Sequence, residues 1–227
     1  MHPSIFQLLL IIAAIYLVWY FLHQLLFHQA FCRPANHMAE SFYNRLSGFV
    51  FLGMISYWIA HRVGYSSSDI GIGFTLNSIS RYCILIALVI LPLLMLYIGP
   101  SKENLWKNPK IRNRRWSWAL VVLSTLSWII YLFAYEFFFS GFLLFPCINT
   151  LGVTWAVIIN VLIYTSVHLG QGTPMVISAG LFSIALSLIS YHTGSFFTAF
   201  IIHVILTLSN EWISLYYNPD MKVKGLI

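Results

Sequence analysis

Apolar residues occupy this chain in long unbroken blocks, set apart by short stretches rich in Gly, Ser, Pro and charge. The blocks do not alternate polar with apolar positions, as the strands of an outer-membrane barrel do. They read instead as membrane helices, each needing about 20 apolar residues to cross the hydrocarbon core. On that ruler the pattern predicts helices over residues 4–31, 46–62, 79–99, 116–148, 153–169, 174–191 and 195–217. The breaks carry turn chemistry: GYSSSDIGIG at 64–73, IGPSKEN at 98–104, GQGTP at 170–174 and HTGS at 192–195. The block 116–148 is too long for one perpendicular crossing, so it is expected to be tilted, kinked, or split near Tyr131–Tyr135. The predicted fold class is an all-α polytopic membrane protein of about seven transmembrane helices. No internal repeat or inverted pair of halves is visible, which weighs against a secondary transporter.

Composition strengthens this reading. The 227 residues are 59% hydrophobic and 8% charged, whereas a soluble domain carries about 25% charged residues. No Lys or Arg precedes the first block, which is also longer than the core of a secretory signal. The stretch FHQAFC lacks the small residue that a lipoprotein cleavage site places directly before its cysteine, here Cys32. The first block is therefore read as a retained helix. Cys32, Cys83 and Cys147 are odd in number and widely spaced, and imply neither a disulfide framework nor a zinc ribbon.

The net charge of +6 does not point to nucleic acid, because six of the 12 Lys and Arg fall in one loop: Lys102, Lys107, Lys110, Arg112, Arg114 and Arg115. That is the signature of a cytoplasmic loop under the positive-inside rule. Seven crossings then place the N-terminus outside and the C-terminus in the cytoplasm. Arg33, Arg45, Lys222 and Lys224 join the loop cations on the inner side, and Arg62 and Arg81 face out. The chain divides into residues 1–115, helices and basic loop acting as scaffold; residues 116–217, which hold the polar residues that need explaining; and the cytoplasmic tail 218–227.

Glu40, Asp69, Glu103 and Asp220 lie in proposed loops or tails, where solvation explains them. Glu136 and Glu211 lie inside apolar blocks. An ionisable group there costs on the order of 3 kcal/mol to insert, so it tends to face the protein interior and mark function. Glu211, near the inner end, has solvation as a sufficient alternative; Glu136 has no cation within a turn on either side. His168 ends the block VIINVLIYTSVH and His203 sits in TAFIIHVILTLSNEW, both in the same third of the chain as Glu136. In one cavity, a carboxylate can take a proton from water while an imidazole orients that water or protonates the leaving amine. A second His, or an amide such as Asn210 on the same face as His203, can donate to the developing oxyanion.

The order Glu136, Gly141, Tyr164…His168, then GLFSIALSLISYHTGSFFTAFIIH ending at His203, resembles the CPBP intramembrane proteases. These include the CAAX prenyl endopeptidases and bacterial bacteriocin-processing or immunity proteins. The resemblance covers roughly residues 116–212. The family motifs are Glu-Glu-x-x-x-Arg, Phe-x-x-x-His and His-x-x-x-Asn or Asp. With Gly141 as anchor, Glu136 matches the second glutamate, Tyr135 stands in place of the first, and Ser140 replaces the arginine. Tyr164 replaces Phe, and Thr207 stands where Asn would follow His203.

The resemblance implies a CPBP-like bundle and an intramembrane endopeptidase. Its substrate would be a membrane-associated peptide or protein met at the surface of the bilayer that holds the enzyme, with no nucleic-acid partner. Glu136 would be the base and His168 the holder of water, with His203 and Asn210 on the oxyanion side. Thr207, Tyr135, Tyr164 and Ser140 would form the surrounding shell. No cofactor is needed for that chemistry. Glu136, His168 and His203 would also make an acceptable zinc ligand set, although the His-Glu-x-x-His spacing is absent. The substitutions at Tyr135 and Ser140 carry the other reading, a catalytically inactive member that binds a peptide as an immunity or scaffold protein. For the site to form, either block 116–148 enters at a steep tilt or the HLGQGTP segment dips into the membrane beside water.

Overall fold

The computed structural model describes residues 3–22, 37–74 and 76–224. The second half of the predicted helix 4–31, with Cys32 and Arg33, lies outside the described residues.

Helices stand at all seven predicted places. They are α1 (Ile5–Leu22), α2 (37–62), α3 (Ser78–Ile98), α5 (Trp118–Leu151), α6 (Val153–Ser166), α7 (Thr173–Thr193) and α8 (Phe197–Tyr217). All of these but α2 and the 14-residue α6 are long and apolar enough to cross a bilayer, which makes five candidate spans among the described residues. The chain is an all-α integral membrane protein. One further helix was not anticipated: α4 (Lys102–Lys107), inside the basic loop. Ser101 caps it by accepting from the Asn104 N–H, and Lys107 donates to Glu103 at 2.8 Å, holding that carboxyl below its ordinary pKa.

The long α5 stays continuous, but residues Phe137–Leu143 form a π-helical segment, directly after the place where a split was expected. A similar segment, Phe49–Ile55, interrupts α2. Close approach of α2 and α5 depends on small residues: a Cβ added to Gly53 would lie 2.9 Å from that of Ala134. The α6–α7 pair uses the same device. Ala179, Ser183 and Ser187 recur every four residues along α7 and are buried. From α6, Asn160 donates to the Ser187 hydroxyl at 2.8 Å. Helix α8 lies along α3, where Thr198 donates to Ser80, and returns antiparallel beside α5. Left-handed Gly194 ends α7 and allows the reversal into α8.

Two short strands, β1 (Arg115–Trp116) and β2 (Lys222–Val223), pair in parallel. They fasten the C-terminal tail to the end of the basic loop, so both lie on one side of the bundle.

Near that end lies a buried ionic cluster. Arg45, placed by sequence on the inner surface, is inside α2 and 4% exposed. Its Nη1 donates to the Ser124 carbonyl and hydroxyl and, at 2.7 Å, to Ser127. The guanidinium lies 4.0 Å from the Trp128 ring centroid. Glu211 of α8, 4% exposed rather than reaching water, accepts from the Ser124 hydroxyl at 2.9 Å and faces Arg45 at 3.9 Å. The cluster ties α2, α5 and α8 together. Truncating one member leaves the other charge buried, at a cost of about 3–5 kcal/mol. Arg45→Met is therefore expected to lower the thermal unfolding midpoint in detergent sharply. Arg45→Met combined with Glu211→Gln should regain most of that loss; a double variant no better than the single one would show that the ion pair does not govern this end.

Candidate active site

Glu136 is the last α-helical residue of α5 before the π-helical turn, and its side chain is fully buried. The local cause is apolar crowding. Phe137, Phe138, Phe139, Phe142 and Phe196 are all buried in one cluster with Tyr135 and Tyr164, and the loop before α3 closes over the π-helical segment. A Cβ on Gly141 would meet the Ile70 carbonyl at 2.8 Å, and the Phe196 N–H donates to the Gly71 carbonyl at 3.2 Å. Glycine at 141 is thus required by the closeness of that loop.

A carboxylate sealed in such surroundings must have each oxygen satisfied. Ser140, one turn along α5, donates its hydroxyl to Oε2 at 2.5 Å. Across the bundle, His203 Nδ1 of α8 lies 2.6 Å from Oε1. The Tyr164 hydroxyl of α6 approaches the same Oε1 at 3.4 Å, and His203 Nδ1 also at 3.4 Å. The short contacts are those of charge-assisted hydrogen bonds. The cation missing four residues after Glu136 is replaced by a hydroxyl at that position and an imidazole from another helix.

Aromatic rings fix the imidazole. Tyr135 meets it edge-on at 5.7 Å between centroids, Phe182 of α7 meets it edge-on at 5.2 Å, and Tyr164 lies tilted at 6.4 Å. Tyr135 and Tyr164 are themselves in edge contact at 5.1 Å. The Tyr135 hydroxyl is buried and makes no hydrogen bond of good geometry. His168 sits in the turn after α6, its ring tilted against Tyr164 at 6.2 Å, with Nδ1 buried and unpartnered. Tyr164 is therefore the hub, touching Glu136, His203 and His168 at once.

Of the residues singled out from sequence, the structure gathers Glu136, Ser140, Tyr135, Tyr164, His168 and His203. It does not gather Asn210. Seven residues beyond His203, and so about 10 Å further along α8, Asn210 accepts from Asn104 of α4 at 3.0 Å and from Ser214 at 3.1 Å. It closes the basic end of the bundle. Thr207 lies between, half-buried on α8, one turn past His203. Among the described residues, no group of three or more His, Cys, Asp or Glu side chains is placed to hold a metal ion. The Phe182 wall was not anticipated, since an apolar residue on an apolar helix gives no signal. The Ser140 donor was legible in principle, because four-residue spacing puts it over Glu136.

The family described as type II CAAX prenyl endopeptidase Rce1-like has a model that matches residues 116–209. That stretch opens at β1, contains Glu136, Tyr164, His168 and His203, and ends just before Asn210. Over it the chain is similar to the CPBP proteases, as the order of its motifs implied. Neither the curated proteins nor the solved structures contain a match to the chain.

Removing the Ser140 hydroxyl leaves Oε2 buried without a donor, which costs about 1–3 kcal/mol or more for a charged acceptor. Ser140→Ala should therefore lower the unfolding midpoint clearly in the wild-type background and much less in a Glu136→Leu background. Equal losses in the two backgrounds, measured by thermal denaturation in detergent, would show that the hydroxyl does not serve Glu136.

Proposed function

We propose that this protein is an intramembrane endopeptidase, hydrolysing a peptide bond of a membrane-associated substrate with water activated at the Glu136–His203–His168 centre. One observation carries the reading: a fully buried carboxylate is joined at 2.6 Å to an imidazole on another helix, with a second imidazole one aromatic ring away. An acid and a base held together in a low-dielectric interior are the parts that water activation needs. The match of residues 116–209 to a protease family supports it.

The chemistry requires no cofactor. The parallel pairing of β1 with β2 puts the C-terminal tail beside six of the chain's cations, and the positive-inside rule makes that side cytoplasmic. The substrate approaches from the bilayer surface. Prenylated C-terminal tails are the class to try first, given the name of the matching family, with plain peptides beside them.

A second reading, a peptide-binding member without catalysis, is favoured by the sealing of Glu136 and by tyrosine at position 135. The test is turnover of a panel of fluorogenic peptides, prenylated and plain, by the purified protein in detergent. Wild type should cleave at least one. Glu136→Gln should lower turnover by on the order of 10³-fold or more, and a chelator should leave it unchanged. Loss on chelation with recovery in zinc would replace this mechanism by a metal-dependent one. Absence of turnover on every peptide by folded wild-type protein would favour the binder.

A further inference from the structure

We propose that the atom taking the proton from water is Nε2 of His203, and that Glu136 is a positioning residue. It stays ionised and holds the imidazole as its Nδ1–H tautomer. The inference rests on the hydrolytic reading above and changes which group serves as base.

The argument is one of access. Both oxygens of Glu136 are engaged, Oε2 by Ser140 and Oε1 by His203 and Tyr164, and the side chain has no exposure. With no exposure, neither oxygen of Glu136 is open to a water molecule, and each is already held in a bond of 2.5–2.6 Å. The His203 side chain, by contrast, is 15% exposed. Its Nδ1 is spent on Glu136, so the open nitrogen is Nε2, on the far side of the ring. Glu136 lies on α5, Tyr164 on α6 and Phe182 on α7, and these enclose the ring on three sides. His168 packs against the same Tyr164, the two ring centroids 6.2 Å apart.

A carboxylate bonded to Nδ1–H fixes the tautomer that leaves Nε2 bare and stabilises the imidazolium formed by protonation. As the water oxygen attacks the carbonyl carbon, its proton passes to Nε2. The imidazolium then returns that proton to the amide nitrogen as the C–N bond breaks, leaving a carboxylic acid and an amine. Glu136 ends each cycle as it began. This assignment also removes the difficulty posed by Tyr135: a base on α8 needs no carboxylate at position 135, only one at 136 aimed at His203.

Two measurements test it. The first is nitrogen NMR of wild-type protein labelled with ¹⁵N-histidine, in detergent and mildly alkaline buffer, with His203 assigned by its loss in His203→Gln. The expected spectrum shows His203 protonated at Nδ1, with that proton strongly deshielded, and bare at Nε2. A ring carrying a proton on Nε2 overturns the proposal. The second uses a peptide that wild type cleaves. His203→Gly should lose turnover by on the order of 10³-fold and regain at least tenfold with added imidazole. Glu136→Gln should lower kcat with little change in KM, because it disturbs the tautomer and not substrate contact. His203→Gln that keeps turnover within about tenfold of wild type would place the base elsewhere, since an amide can donate to an oxyanion but cannot take a proton. If wild type cleaves no peptide, the hydrolytic reading fails and this one with it. An active wild type with Nε2 protonated sinks this assignment alone.

Discussion

Placing one ionisable carboxyl in the apolar interior of a membrane protein is the constraint around which this structure is arranged. Left unpaired, such a charge would cost several kcal/mol, a large part of the stability of any fold. Three helices meet that cost together. Helix α5 supplies the acid and, one turn on, a hydroxyl; α6 brings a tyrosine; α8 brings an imidazole 67 residues away in sequence. The π-helical turn beginning at Phe137 is part of the same arrangement, because widened turns recur where a helix must aim side chains for use rather than for regular packing. Remove the acid and the reason for these helices to meet in this register is largely gone.

A second buried acid, Glu211, is handled differently. It draws on Arg45 from α2 and on Ser124 from α5 and sits at the opposite end of the α5–α8 pair. The two helices are thus joined by polar contacts at two levels. Between these levels run Trp128, Tyr131 and Tyr135, with ring centroids 5.7–5.9 Å apart. The lower joint is full-charge and structural; the upper pairs an acid with a group that can gain and lose a proton. An antiparallel pair joined at both levels holds the Glu136–His203 contact in a fixed register.

The fold was readable because insertion into a bilayer filters sequence so strictly. Apolar block length located seven helices, and turn residues located most of their described ends, although α2 begins at 37 rather than 46; the cost of a buried charge singled out Glu136 and Glu211 from six acids. Helix α4 and the pairing of Arg115–Trp116 with Lys222–Val223 stayed hidden, being too short for any periodicity to form. Partners were harder still. Arg45 looked like a surface cation because charge says which side of a membrane a residue belongs to, and nothing about which helix it turns toward. Asn210 looked like a neighbour of His203 because a seven-residue step keeps the helical face; the same step moves about 10 Å along the axis, and there Asn104 holds it.

Helix α6 has 14 residues, a length of about 21 Å against a hydrocarbon thickness of about 30 Å. Its neighbours α7 and α8, at 21 residues each, have no such deficit. This is hydrophobic mismatch confined to one edge of the bundle. Leu162 and Leu169 are exposed there, close to where α6 gives way to Gly170 and Gly172. The Gln171 carbonyl accepts from Lys107 of the basic loop at 3.4 Å. Lipid beside this edge must thin, or tilt its headgroups inward, to meet polar backbone, at a cost of a fraction of a kcal/mol per Å. Tyr164 and His168 belong to that short edge. Water at the level of the headgroups starts nearer to their rings than it would beside a helix of full length.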